Sequence, residues 1–209
     1  MALRIATSGA VTPYGRARID SARAPKHRRE TMSPQSFEQQ LNEQIGHEFG
    51  AHQQYVAIAV YYDDLTLPRL ASFFYRQAVE ERGHAMMMVK YLLDTGRTVT
   101  VPGVSAPQVQ FSDIVEPVKL ALEQEKRVSE QINALAATAR ATSDYSSEQF
   151  MQWFIKEQVE EVSTMSALLQ IVERSLDNPN IAEDYLARES FGEEGEDPTA
   201  PEPAGGAVG

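Results

Sequence analysis

The sequence predicts an all-α fold: a four-helix bundle with one long crossover and a short fifth helix at the C-terminal end. Three observations carry that expectation. Apolar residues recur every three or four positions through four long stretches. A segment mixing Val, Pro, Gly and Ser, from Arg97 to Phe111, divides those stretches two and two, and it is too long for a hairpin turn. Nowhere does the chain alternate apolar and polar residues persistently enough for a sheet.

Each element has its own signals. Ser33 and Pro34 read as an N-cap and a proline in the first turn, and Phe37, Leu41, Ile45, Phe49, Tyr55, Ile58 and Tyr62 follow at helical spacing, which predicts a first helix over about 34–62. Leu67 and Pro68 open a second run through Leu70, Phe73, Phe74, Ala78, Met88 and Leu92, and Gly96 stands where a left-handed residue would end it. The third helix begins near Ser112 or Asp113, tolerates Pro117 in its first turns and runs to about Ala141; the fourth covers about 145–175. At 1.5 Å per residue each is roughly 40 Å long, the dimension of a bundle with one crossover. A short amphipathic piece, Ile181 to about Glu189, supplies the fifth helix.

Composition narrows the chemistry. The 209 residues suffice for one domain, and no stretch reaches the roughly 18 consecutive apolar residues of a membrane span. Cysteine is absent, so disulfides, thiolate metal sites and a cysteine nucleophile are excluded, and any metal must be held by oxygen and nitrogen. The net charge of −11 hides an asymmetry. Residues 1–31 carry seven Lys or Arg against two acids, leaving 12 basic and 28 acidic residues, or −16, from residue 32 onward. So acidic a surface attracts cations and repels nucleic-acid phosphates, which argues against a nucleic-acid partner. Residues 1–32 are expected to form a disordered basic extension, an upstream addition or else an accessory binding arm. Residues 33–190 form the folded domain, and residues 191–209 a disordered acidic tail.

The informative feature is a set of acids on the apolar stripes. Glu48 lies seven positions after Leu41 and three after Ile45, so it faces inward, with Tyr55 one heptad further on. The second helix carries Glu81 and His84 at i and i+3, directly after Glu80; the third has Glu125, three before Val128. Glu157, Gln158, Glu160 and Glu161 cluster on the fourth. Burying an unpaired carboxylate costs several kcal/mol, so carboxylates from four helices sharing one interior would unfold it or raise their pKa values sharply. A divalent cation removes the conflict. Carboxylates with one imidazole suit iron or manganese, and a carboxylate-bridged pair leaves positions open to dioxygen.

Three stretches also give the chain a family resemblance: LNEQIGHEFGAHQQY in the first helix, QAVEERGHAMMM in the second and EQFMQWFIKEQVEEV in the fourth. From about Phe37 to about Glu189 it resembles the bacterial non-haem ferritins, which have a di-iron centre in a ferritin-like bundle. The resemblance implies a first iron site from Glu48, Glu81 and His84, with Gln158 nearby. Glu81 would bridge to a second iron held by Glu125 and Glu161. A third, weaker site would use Glu80, Glu157, Glu160 and Glu161, and Tyr55 would supply an electron during oxidation. It implies further a cytoplasmic homo-oligomer, a hollow shell of 24 subunits with the fifth helix lining its four-fold pores. Fe(II) and dioxygen would be its substrates, ferroxidase its activity and storage of Fe(III) mineral its purpose.

Departures from neighbouring families sharpen the reading. Bacterioferritins have a second Glu-x-x-His in the fourth helix, where here Thr164 stands three residues after Glu161, and a haem-ligating Met at the position of Arg82. No haem is therefore expected, and Met86, Met87 and Met88 are assigned to packing. His52 is read as a packed or exposed imidazole, His47 and His27 have no partner pattern, and Trp153 and Phe154 are assigned to the core. Glu148 matches a carboxylate lining the three-fold channel of some ferritins. Two rival readings remain: a di-iron oxygenase or peroxidase acting on an organic substrate, and a bundle whose inward acids hold structural cations only.

Overall fold

The chain was analysed as a computed structural model that describes residues 35–189 and 197–206. The predicted extension, 1–32, and His27 within it lie outside the described residues, as do Ser33 and Pro34. Five helices follow in order: α1 (Phe37–Asp64), α2 (Pro68–Asp94), α3 (Glu116–Ala141), α4 (Tyr145–Arg174) and α5 (Asn180–Glu189). The described residues contain no strand. None of their helices is long and apolar enough to cross a membrane.

Helix boundaries follow from capping chemistry, with two corrections. α1 is capped by Ser36, not Ser33: the Ser36 hydroxyl accepts from the Gln39 amide while the Gln39 side chain accepts from the Ser36 amide, a reciprocal box. α3 starts at Glu116 because Asp113 accepts from the Val115 and Glu116 amides, and Pro117 then sits in the first turn, where no amide is required. Gly96 ends α2 as expected. It is left-handed, its amide bonds to the Leu93 carbonyl and the Arg97 amide bonds to that of Leu92. Thr66 and Ser143 end α1 and α3 with the same two-bond pattern, at φ values of 61° and 57° that cost a side-chain-bearing residue more than glycine.

The helices pair as α1 with α2 and α3 with α4. Their buried side chains form two apolar clusters. Phe37, Leu41 and Ile45 of α1 share one with Met88 and Leu92 of α2, Val128 to Ala139 of α3 and Met151 and Phe154 of α4. Tyr55 to Tyr62, Leu70 to Ala78, Val118 to Leu122 and Met165 to Val172 form the other. α2 and α3 therefore run in the same direction, opposite to α1 and α4, and the chain must travel the length of the bundle between α2 and α3. The crossover does so along α1. Thr100 donates to Asn42, Pro102 packs on Gly46, and Gln54 and Gln108 exchange side-chain and backbone hydrogen bonds. Further on, the buried Tyr62 hydroxyl donates to the Ile114 carbonyl at 2.7 Å. Gly46 is needed there, because a Cβ would come within 2.7 Å of the Pro102 ring.

α5 packs on α2, burying Ala182 and Leu186 in the second cluster. α2 has no side-chain cap of its own. Glu183 of α5 provides one, accepting from the Arg69 amide at 2.8 Å and the Leu70 amide at 3.0 Å. Within the expected tail, residues 197–206 lie against α2 and α4. Asp197 accepts from Trp153 and Lys156, and the Ala204 amide donates to the Met86 carbonyl at 3.0 Å. Those contacts, with Ala204 packed on the first apolar cluster, hold a segment whose composition suggests little to bury.

Candidate metal centre

Between the two apolar clusters each long helix presents a polar residue inward, and together these make one layer across the bundle. Glu48, Glu81, His84, Glu125, Gln158 and Glu161 are all buried, with Glu125 fully so. Helical periodicity puts them there, since each sits on the stripe whose other members pack the cores above and below.

Glu48, Glu81 and His84 each bring one ligand atom to within 4.8 Å of the other two. Nδ1 of His84 lies 3.5 Å from a Glu81 oxygen. One oxygen of Glu48, both of Glu81 and one of Glu125 are buried with no hydrogen-bond partner. Buried native polar atoms are almost always satisfied, so unpartnered oxygens in this arrangement suit a cation.

The electrostatics agree. Burial pushes the Glu81 carboxyl well above its ordinary range, and repulsion from Glu125 and Glu48 adds to it. Burial does the same to Glu161, reinforced by Glu125, Glu80 and Glu157. Glu125 is pushed up to about 7 by burial, against an opposing hydrogen bond from Tyr55. Burial lowers the His84 imidazole and keeps it neutral, the form that can ligate a metal. Tyr55, buried and donating to Glu125, stays a protonated phenol, since burial and the nearby carboxylates push its pKa upward.

The remaining residues fall around this core. Gln158 accepts from the Ser129 hydroxyl at 3.0 Å, and its amide bonds to Glu125. Glu80 accepts a hydrogen bond from Gln77, and both Glu80 and Glu157 lie close enough to act on Glu161. Glu160 is half-buried and 3.7 Å from Lys156. Among the described residues only Glu48, Glu81 and His84 form the three-residue cluster; Glu125 and Glu161 lie outside it, as do Glu80, Glu157 and Glu160, and of the residues expected to make a third site Glu80 and Glu157 act on Glu161. His52 turns away to donate to the Ala78 carbonyl at 2.6 Å, and Glu148 accepts two hydrogen bonds from Arg140. Trp153 is half-buried, packed against the first apolar cluster, and meets the His84 ring edge-on at 5.6 Å.

The sequence reading missed Gln44 and Ser129. The buried Gln44 amide donates to Glu48 at 2.8 Å, and Ser129 sets the Gln158 amide. Their only sequence signal is spacing: each lies four residues from an inward Glu on its own helix.

A family profile described as the ferritin-like domain matches residues 38–175. The chain belongs to the ferritin family. It is 50% identical over 172 residues to ferritin BfrB of Mycolicibacterium smegmatis, an alignment covering 82% of this chain and 94% of that relative. Bacterial non-heme ferritin of Staphylococcus aureus (strain USA300) is 37% identical over 157 residues, covering 74% of this chain and 95% of the other. The open pore ferritin of Archaeoglobus fulgidus superposes with a TM-score of 0.70 at 24% identity, over 76% of this chain and 99% of that one. A likeness at that identity speaks to the fold. Iron storage is the business of the family.

Proposed function

We propose that this ferritin oxidises Fe(II) with dioxygen at a di-iron centre and stores the Fe(III) product as mineral inside a hollow cytoplasmic shell of 24 subunits. One observation carries the reading: four carboxylates and a neutral imidazole share a buried layer in which four carboxylate oxygens lack partners. Glu48, Glu81 and His84 hold the first Fe(II), with Gln158 alongside, and Glu81, Glu125 and Glu161 hold the second. Glu80, Glu157, Glu160 and Glu161 take a third iron more weakly. Each Fe(II) gives up one electron to dioxygen, and the protons that the raised carboxyls hold leave as the cations bind. With two electrons from the paired irons and one from the third, the Tyr55 phenol, bonded to Glu125, supplies the fourth electron and a proton, so that dioxygen takes up four electrons and four protons and leaves as two waters.

The experiment is aerobic Fe(II) addition to metal-free protein of known solution mass. Storage requires a large assembly taking up many irons per chain, with ferric absorbance. Uptake that stalls near about two per chain would instead favour oxygenase chemistry, for which the apolar crevice between α3 and α4 that reaches Gln158 offers room for an organic substrate. Binding without oxidation would reduce the site to a structural one. His84→Ala should slow the initial oxidation at least roughly tenfold while leaving helix content unchanged. An unaltered initial rate removes His84 from the ligand set.

A further inference from the structure

The described part of the tail connects to the metal layer through one aromatic ring. Asp197 accepts from the Trp153 indole at 3.2 Å and from the Lys156 ammonium at 3.2 Å, both on α4. Its other oxygen accepts from the amide and hydroxyl of Thr199, at 2.8 and 2.6 Å, which fixes the carboxylate's direction. Seven residues later the Ala204 amide bonds to the Met86 carbonyl of α2, and Ala204 packs on the apolar cluster that contains Met88 and Phe154. Between these anchors Pro201 and Glu202 border a shallow crevice with Lys90 and Tyr91 of α2 and Phe150 of α4. Residues 197–206 thus cross from α4 to α2. Charge favours the arrangement: Lys156 meets Asp197, and Lys90 feels Glu202.

His84 is flanked by two rings, each edge-on: Phe154 at 5.8 Å and Trp153 at 5.6 Å. Phe154 is locked in the core. Trp153 is half-buried, and its indole N–H ends on Asp197. Without that acceptor, only edge contacts with Phe154 and His84 would hold the indole, at 4.9 and 5.6 Å, as one of the imidazole's two walls.

We propose that residues 197–206 form an internal strap, and that Asp197 is a positioning residue that holds Trp153 against His84 and thereby sets the affinity of the first metal site. The proposal rests on the reading of Glu48, Glu81 and His84 as metal ligands. It assigns the acidic C-terminal segment a role that its composition does not suggest. Because the strap is held partly by exposed ion pairs, it loosens as ionic strength rises.

Trp153 is the only tryptophan in the sequence, so its emission reports the contact directly. Metal-free full-length protein, Asp197→Ala and Asp197→Asn are compared by emission maximum and acrylamide quenching, then titrated with Co(II), whose visible absorbance reports binding without oxidation. In Asp197→Ala the emission should shift to the red, quenching should rise about twofold and Co(II) affinity at the first site should fall about threefold, less than loss of a direct ligand contact gives. Asp197→Asn should recover most of the quenching protection, since its amide carbonyl still accepts from the indole. Unchanged quenching in Asp197→Ala overturns the strap. Altered quenching with unchanged Co(II) affinity overturns the positioning role. His84→Ala is titrated in parallel: if it binds Co(II) like the parent, the ligand reading itself has failed, whatever Asp197 does.

Discussion

Gln44 and Glu48 stand one helical turn apart on α1, and only one of them is expected to touch metal. The other steers it. A carboxylate with one oxygen bonded to an amide at 2.8 Å and the other free has a single direction in which to offer a lone pair. Gln44→Ala removes the donor and leaves Glu48 free to rotate, so Co(II) affinity at the first site should fall roughly tenfold, with far-ultraviolet circular dichroism unchanged. Gln44→Glu should be worse, placing another carboxylate in a layer already crowded with them. A variant that binds as tightly as the parent would show that helix packing alone orients Glu48. Glu48 itself was legible in the sequence, because its register with Leu41 and Ile45 fixes the face it occupies. The hydrogen bond was not, because a glutamine on an apolar stripe has several possible partners until the neighbouring helices are in place.

Capping sorts the element scale into what local sequence settles and what it does not. Gly96 was readable at the end of α2 because glycine is the residue that position prefers; Thr66 and Ser143 were not, although the backbone does the same thing there. Thr66→Gly and Ser143→Gly should each raise stability by about 1 kcal/mol, the penalty a branched or substituted residue bears in the left-handed region. Thermal melts of the metal-free protein would check both, and a loss of stability would mean their side chains make contacts worth more than the strain. Gly46 points the other way. A helical Gly→Ala change ordinarily gains about 1 kcal/mol, but at Gly46 the added carbon meets Pro102 and must displace the crossover. Gly46→Ala should therefore destabilise, while Gly50→Ala, with open space around its Cβ, should show the ordinary gain. The two helix starts that moved, Ser36 for Ser33 and Glu116 for Asp113, did so because several capping residues competed within a few positions. Backbone geometry chose among them.

Across the whole molecule the buried layer makes stability depend on protons and metal together. The Glu81, Glu125 and Glu161 carboxyls all have folded pKa values above the ordinary 4.5, so the fold favours their protonated forms. Their contribution is complete below about 4.5 and is lost as pH rises, for Glu125 across the interval from 4.5 to about 7. His84 opposes them: its lowered pKa gives stability above 6.5 that is lost as pH falls. Three carboxyls outweigh one imidazole. Metal-free protein should therefore melt at least roughly 5 °C higher near pH 5 than near pH 7. A divalent cation at pH 7 should erase the difference and release protons on binding, measurable in weakly buffered solution. A metal-free melting temperature that rises steadily from pH 5 to 7 would mean the carboxyls are solvated in solution.

The sequence by itself determined the number and order of the helices, the fold class and the inward faces of Glu48 and Glu125, because helical period is a local property and these residues share it with the core. It also determined that any metal is held by oxygen and nitrogen. Only the tertiary structure decided which of those acids converge, that Glu183 caps a helix more than a hundred residues away, and that Asp197 reaches Trp153 beside His84. Those are contacts between elements distant along the chain, and no spacing rule within one helix can specify where another helix will stand.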